Sequence, residues 1–310
     1  MNLRPTSGVA LLAVAAALPL AACGLLRAQS QTQPQPGGPS PQELQALLNR
    51  VVANQHHNDN QLQLFEWNER QIVQQHANDK PSEDKTWRVI PTGTGTVRVL
   101  LQDAGIPVDP AMYRKQLQDA EQALVNSTNP NLAREKQDEA KFARRKHDRD
   151  ELVDAIRNAF VYKFQGREVR DGRTLAKFSA EPNPDYHPTS RMTAMLLHVR
   201  GTAWVDESAG QVVRLDAEIF KDISFFGGIA GKIYHGSRIV LEQGQVAPGI
   251  YMPTRYEFDA AGRKFLFSLE IHKKTEESRY RRIGPPREAL GTIRRELSSG
   301  GPPAGARSDP

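Results

Sequence analysis

Gln211-Val212-Val213-Arg214-Leu215-Asp216-Ala217-Glu218-Ile219-Phe220 is the stretch that decides the fold. In an extended chain, Val213, Leu215, Ala217 and Ile219 fall on one side and Arg214, Asp216 and Glu218 on the other. Alternation at period two gives one buried and one wet face, as in an antiparallel sheet with a single apolar side. The same pattern continues outward in both directions. Thr202 to Asp206 precedes it, closed by the turn residues Glu207-Ser208-Ala209-Gly210. Ser237 to Val246, Ile250 to Phe258 and Lys264 to Glu276 follow, with a turn expected at Asp259-Ala260-Ala261-Gly262. In the last strand Phe265, Phe267, Leu269 and Ile271 alternate with Lys264, Leu266, Ser268 and Glu270. Strands joined this tightly predict a curved antiparallel sheet or partial barrel rather than a parallel α/β fold.

The chain's 310 residues carry a formal charge of +5, with a quarter of them charged and both signs mixed along the chain. No clustered basic patch is evident, so nucleic acid is not an expected partner. The single cysteine, Cys23, ends an export-like segment over 1–23. Arg4 supplies its positive start, Val9 to Leu20 an apolar run too short to span a bilayer comfortably, and Leu20-Ala21-Ala22-Cys23 its end. The rest of the chain therefore has no disulfide, thiol nucleophile or cysteine metal site of its own. Residues 24–39, rich in glutamine, proline and glycine, read as a flexible tether.

A single domain is expected over 40–283. It opens with Ser40-Pro41-Gln42-Glu43, a capping serine with proline at the first helical position and glutamate three residues on. Leu44, Leu47, Leu48, Val51 and Val52 continue the helix, which is expected to end at His56-His57-Asn58-Asp59. Gln61 to Gln75 and Lys85 to Leu101 read as long strands, with Gly93-Thr94-Gly95 as a bulge inside the second. Residues 110–151 read as a charged helical insertion, either a docking surface or, more simply, a solvated helix laced with ion pairs. Phe160 to Val169 and Arg173 to Ala180 form a hairpin about Arg170-Asp171-Gly172. Residues 284–310 are expected to be a mostly disordered tail, with a short helix at Arg287 to Leu297.

Motifs of chemistry are few, and no enzyme, cofactor or metal site is expected. The eight histidines show no metal-binding spacing, and no serine lies in a nucleophile-elbow context. Phe226-Gly227-Gly228-Ile229-Ala230-Gly231-Lys232 fails as a phosphate loop, because Ile233 stands where serine or threonine is needed. Asp216 and Glu218 share a strand face, and solvated sheet residues are the simpler reading than a carboxylate pair.

Leu20-Ala21-Ala22-Cys23-Gly24 resembles the bacterial lipobox, whose cysteine is lipidated. With the capped first helix and the meander, it is similar to the lipoprotein-carrier superfamily (LolA/LolB-like). Ile90-Pro91-Thr92-Gly93-Thr94-Gly95, Phe164-Gln165-Gly166-Arg167-Glu168-Val169, Glu181-Pro182-Asn183-Pro184, Trp204-Val205-Asp206 and Pro248-Gly249-Ile250-Tyr251-Met252-Pro253 resemble uncharacterised envelope proteins of that kind. The resemblance implies an α+β fold in which helices plug or flank the concave side of an incomplete barrel. It also implies lipidation at Cys23 and a lipid-anchored address in the cell envelope, at the outer membrane facing the periplasm. The implied partners are the membrane and the acyl chains of a lipid or lipoprotein. Cavity candidates on the apolar side of the meander are Val213, Leu215, Ile219, Ile239, Leu241, Phe265, Phe267, Leu269 and Ile271. Phe225, Phe226 and Ile229 are candidates for a lid. A fully packed core is the alternative for the first set, and a turn packed on that core for the second. A scaffold or regulator acting through protein contacts remains the second functional reading; its protein partner is not legible.

Overall fold

The computed structural model describes residues 37–129, 133–170, 172–225, 231–264 and 267–299. Cys23, Phe226, Ile229 and Phe265 therefore lie outside the described residues.

Alternating sequence becomes strand along most of the chain. The strands are β1 (Phe65–Gln74), β2 (Glu83–Pro91), β3 (Thr96–Asp103), β4 (Ile106–Pro107), β5 (Phe160–Arg170), β6 (Arg173–Pro182) and β7 (Val199–Asp206). They continue as β8 (Gln211–Ile219), β9 (Ile223–Phe225), β10 (Gly231–Ile233), β11 (Arg238–Ala247), β12 (Ile250–Lys264) and β13 (Phe267–Arg282). All belong to one sheet, in the order β4-β3-β2-β1-β13-β12-β11-β8-β7-β6-β5, with β10 and β9 continuing beside β12. Every pairing is antiparallel. β4 and β5 remain as edges, so the sheet is not closed. A twisted sheet with this many strands must curl. The fold is α+β, a curved, open antiparallel sheet flanked by helices.

Register assigns the faces, since directly paired residues point the same way. One row crosses nine strands: Phe164, Phe178, Ala203, Leu215, Leu241, Tyr256, Thr275, Gln71 and Lys85. It is apolar from β5 to β12 and polar beyond. Helix α1 (Pro41–Leu62) lies on this inner face, with Leu47 and Val51 packed on Ala176, Phe178 and Val205. Its capping box forms as the sequence requires: Ser40 N–H donates to Glu43 Oε2 at 2.7 Å, and Glu43 N–H to Ser40 Oγ at 3.3 Å. Helix α3 (Ala133–Ala159) packs on α1 and on the short α4 (Arg191–Ala194).

Helices α2 (Pro110–Ser127) and α5 (Pro286–Ser299) cover the outer face of β2 and β3 instead. Ile90 and Val99 there meet Tyr113, Leu117 and Leu124 of α2 and Ala289 and Ile293 of α5.

Four expectations are corrected. Helix α1 does not end at His56–Asp59 but runs to Leu62, because Asn58 is buried and bonded to two strands. Gly93-Thr94-Gly95 is the turn of the β2–β3 hairpin rather than a bulge: Gly93 takes φ +86° and Thr92 N–H donates to Gly95 O at 2.9 Å. Asp259 to Gly262 continues β12 as extended chain, pairing β13 on one side, with Gly262 also against β10. A Cβ at Gly262 would meet Lys232 O at 2.4 Å, so glycine serves close strand approach there, not a turn. Finally, the helix expected at Arg287 to Leu297 forms as α5 but belongs to the body rather than to a tail, burying Ala289 and Ile293 in the outer core. The outer-face carboxylates are not paired with each other: Glu218 pairs with Arg200, and Asp216 is half-buried between Arg238 and Arg214.

Candidate functional site

The cavity candidates from the meander do not gather into one pocket. Leu215, Ile239, Leu241 and Ile271 share the inner face and are half-buried. Val213 is half-buried at the bulge of β8. Ile219 is fully buried with Met195 and Ile223. Leu269 and Phe267, at the far end of β13, are 47% and 78% exposed. Of the lid candidates, only Phe225 is described: it ends β9, paired with Gly231.

A pocket of 360 Å³ opens elsewhere on the inner face, between the C-terminal half of α1, the middle of α3 and the strands β1, β11, β12 and β13. Trp67, Tyr251, Met252, Pro253, Gln243 and Glu277 come from the sheet, and Phe142, Leu152 and Val153 from α3. The sheet residues reach it because Pro253 pairs Gln243, and Gln243 lies two residues from Leu241 on the same side of β11.

Side-chain bonds fix the walls. Asn58, 2% exposed, donates to Gln211 Oε1 at 3.0 Å and accepts from Tyr251 N–H at 3.1 Å, tying α1 to β8 and β12. Asp59 receives Arg149 of α3 through both carboxylate oxygens, at 2.5 and 2.7 Å. Gln55 donates to Asp59 Oδ1 at 2.8 Å, and Gln243 donates to Gln55 Oε1 at 3.2 Å. Charges on α3 fasten it at further points: His56 lies 3.3 Å from Asp150 and 3.2 Å from Asp154, Arg145 donates to Thr94 O, and Thr189 donates to Glu151. Ion pairs do lace the helix as read from sequence, for example Lys146 with Asp150, but several of its charges face the body instead of water. The roof is thus held by these polar contacts together with the buried Val153, Ala155 and Ala159.

Glu277 in the pocket lining belongs to a buried acidic cluster on β1 and β13. Glu69 is 1% exposed and accepts from Arg98 Nη2 at 2.5 Å. Burial raises its carboxyl above the ordinary range, against the pull of Arg98 and Lys273. Burial likewise lowers the Lys273 ammonium. Glu277, paired with Glu69 across β1 and β13, is 8% exposed and pushed up to about 7, by burial first and also by the Glu69 charge. Tyr280 stacks on Trp67 with ring centroids 5.9 Å apart. Its hydroxyl lies against Pro253 O at 2.7 Å and in close contact with Glu277 Oε2. The single phenol proton of Tyr280 thus faces two acceptors, Pro253 O and Glu277 Oε2.

Sequence reasoning missed this site, although one signal was present: Glu69 and Gln71 occupy the same alternation phase as the apolar Trp67. Among the described residues, no group of three or more His, Cys, Asp or Glu side chains is placed to hold a metal ion. No described helix is long and apolar enough to cross a membrane.

No protein-family model matches the chain, and no curated protein matches it. Among solved structures it is similar to a LolA superfamily protein from Nitrosomonas europaea, at 10% identity and TM-score 0.31, over 79% of this chain and 96% of that one. It is similar to an outer membrane lipoprotein-sorting protein domain from Vibrio parahaemolyticus, at 6% identity and TM-score 0.32, over 79% and 99%. A DUF1329 family protein from Desulfovibrio piger shares 11% identity at TM-score 0.30, over 77% and 93%. Superposition at these scores is loose, and the reading below rests on this chain's own residues.

Proposed function

We propose that this chain binds a hydrophobic ligand (an acyl chain, lipid or lipoprotein) on the inner face of its sheet, beneath α3. The pocket carries this reading. Its 360 Å³ falls at the small end of the ~300–1,000 Å³ usual for ligand sites. Trp67, Met252 and Pro253 below and Phe142, Leu152 and Val153 above give it mainly apolar walls, with a few polar groups between. The half-buried Leu241 and Leu215 lie along the same face, where a longer chain could continue if α3 shifts. The scaffold reading draws less support. Helix α2 uses its apolar side, Tyr113, Leu117, Ala120 and Leu124, in the outer core, leaving Met112 as its exposed large apolar side chain.

The full chain is expected to bind a fluorescent alkyl probe saturably and to release it to a long-chain acyl compound. A folded sample with no saturable binding would remove the proposal.

The address belongs to the same proposal. Leu20-Ala21-Ala22-Cys23 is read as a lipidation site holding the protein in the cell envelope. Cys23→Ser is expected to abolish fatty-acid labelling and move the protein from the membrane to the soluble fraction. Labelling that persists in the variant would exclude Cys23 as the anchor. A singly acylated chain binds membranes only weakly, so stable retention also requires more than one acyl group.

A further inference from the structure

The polar groups of the pocket specify which end of a ligand enters it. Their donor and acceptor roles follow from an ion pair. Asp59 is held by the Arg149 guanidinium, and as a carboxylate it only accepts hydrogen bonds. Gln55 must therefore turn its NH₂ toward Asp59, which leaves its Oε1 toward Gln243. Gln243 must in turn present its own NH₂ to Gln55. That fixes the orientation of the Gln243 amide and leaves Oε1 as the remaining group. Gln243 is only 7% exposed, it lines the pocket, and its Oε1 has no partner in the protein.

The second polar group of the floor is Glu277. Its Oε2 meets the Tyr280 hydroxyl, and Oε1 is its other carboxyl oxygen. Of the cations near the pocket, Arg149 pairs with Asp59, Lys146 with Asp150 and Arg98 with Glu69, while Arg145 donates to the uncharged Thr94 O. The pocket thus presents Gln243 Oε1 as a buried acceptor without a partner, and the Trp67 Nε1–H and Thr96 hydroxyl in the same lining are likewise unpartnered.

Resting on the proposed binding of a hydrophobic ligand, we infer that the ligand is an uncharged amphiphile that enters polar end first and donates a hydrogen bond from a hydroxyl or amide N–H to Gln243 Oε1. An apolar ligand without a donor leaves that buried acceptor unpaired, which is unfavourable. A carboxylate would bring a negative charge toward Gln243 Oε1, Glu277 and the Glu69 carboxylate behind it, and the nearby Arg149 and Lys146 are already paired with Asp59 and Asp150. The apolar body of the ligand then lies against Met252 and Pro253 and leaves beneath α3.

Octanol and heptyl methyl ether test this directly, because they are isomers of nearly equal volume that differ in whether the oxygen carries a proton. Each would be titrated into the full chain against the fluorescent alkyl probe, with octanoate as a third ligand. The alcohol is expected to bind about tenfold tighter than the ether, the worth of one hydrogen bond to a buried acceptor. Octanoate should be the weakest of the three. In Gln243→Met, which keeps the side chain's length but lacks the amide oxygen, the alcohol's advantage should disappear. Equal binding of the two isomers by the wild-type chain overturns the inference while leaving an apolar site in place. Octanoate binding as tightly as octanol overturns it as well, and so does an alcohol preference that survives Gln243→Met. Failure of every ligand to displace the probe, or of the probe to bind, takes down the underlying reading too. The wild-type comparison needs no variant, so a Gln243→Met chain that fails to fold does not remove the test.

Discussion

Arg88→Ala is expected to lower the unfolding free energy by about 3–5 kcal/mol, because it leaves buried carboxylates without their partner. Arg88 is 3% exposed and lies between β2 and the two outer helices. Its Nε donates to Glu66 Oε2 at 2.9 Å, and its Nη1 to Tyr113 OH at 2.9 Å and to Glu296 at 2.8 and 3.0 Å. Burial alone would lower the guanidinium's pKa, but Glu66, Tyr113 and Glu296 more than offset it, so Arg88 stays charged. This one side chain links β1, α2 and α5. Without it Glu66 keeps Arg281, and Glu296 keeps only the Tyr113 hydroxyl. Urea unfolding of the variant measures the loss. A change below about 1 kcal/mol would mean that water or rearranged partners satisfy both acids, and that the outer helices do not depend on this contact.

At about pH 8, Glu277→Gln is expected to be more stable than the parent chain by roughly 3 kcal/mol, and near pH 4 the two should be alike. The sign follows from the direction of the shift. Burial raises Glu277 from 4.5 to about 7, so the folded state holds its proton more tightly than the unfolded chain does. The stabilisation from that proton is complete below about pH 4.5 and is lost as pH rises through 7. Glutamine copies the neutral acid in size and keeps an oxygen beside the Tyr280 hydroxyl. Glu69 is also raised by burial and contributes its own slope, so the quantity to follow is the difference between the two chains. Melting curves from pH 4 to 9 provide it. Parallel curves would show that folding does not raise the Glu277 carboxyl.

The meander could be read because strand alternation is a property of neighbouring residues. Val213 to Ile219 and Phe267 to Ile271 show their two faces without reference to anything distant. The same holds for the cap of α1, whose bonds span three residues. Local pattern failed where a glycine had two possible uses. Gly262 looks like a turn in the sequence and is in fact the point where β10 presses against β12, a contact with a residue thirty positions earlier. In Gly93 the error ran the other way, because a positive φ cannot be seen in the residue names.

The acidic floor was illegible for a related reason. Lys274-Thr275-Glu276-Glu277-Ser278 has the composition of a solvated strand end. Glu277 is buried only because β1, from the start of the domain, pairs with β13 at its end, and because α1 and α3 then roof that seam. Leu269 and Phe267 have the hydrophobicity of core residues, yet they extend past the helices into solvent.

By itself the sequence determined the strand phases, the antiparallel class, the first helix with its cap and the charged character of 110–151. These depend on spacing and side-chain chemistry within a few residues. The tertiary structure decided which parts of the inner face are covered, where the pocket opens, that α5 belongs to the core and that an arginine and several carboxylates are buried. Burial and protonation depend on partners that are distant in the chain and meet only when the first and last strands join.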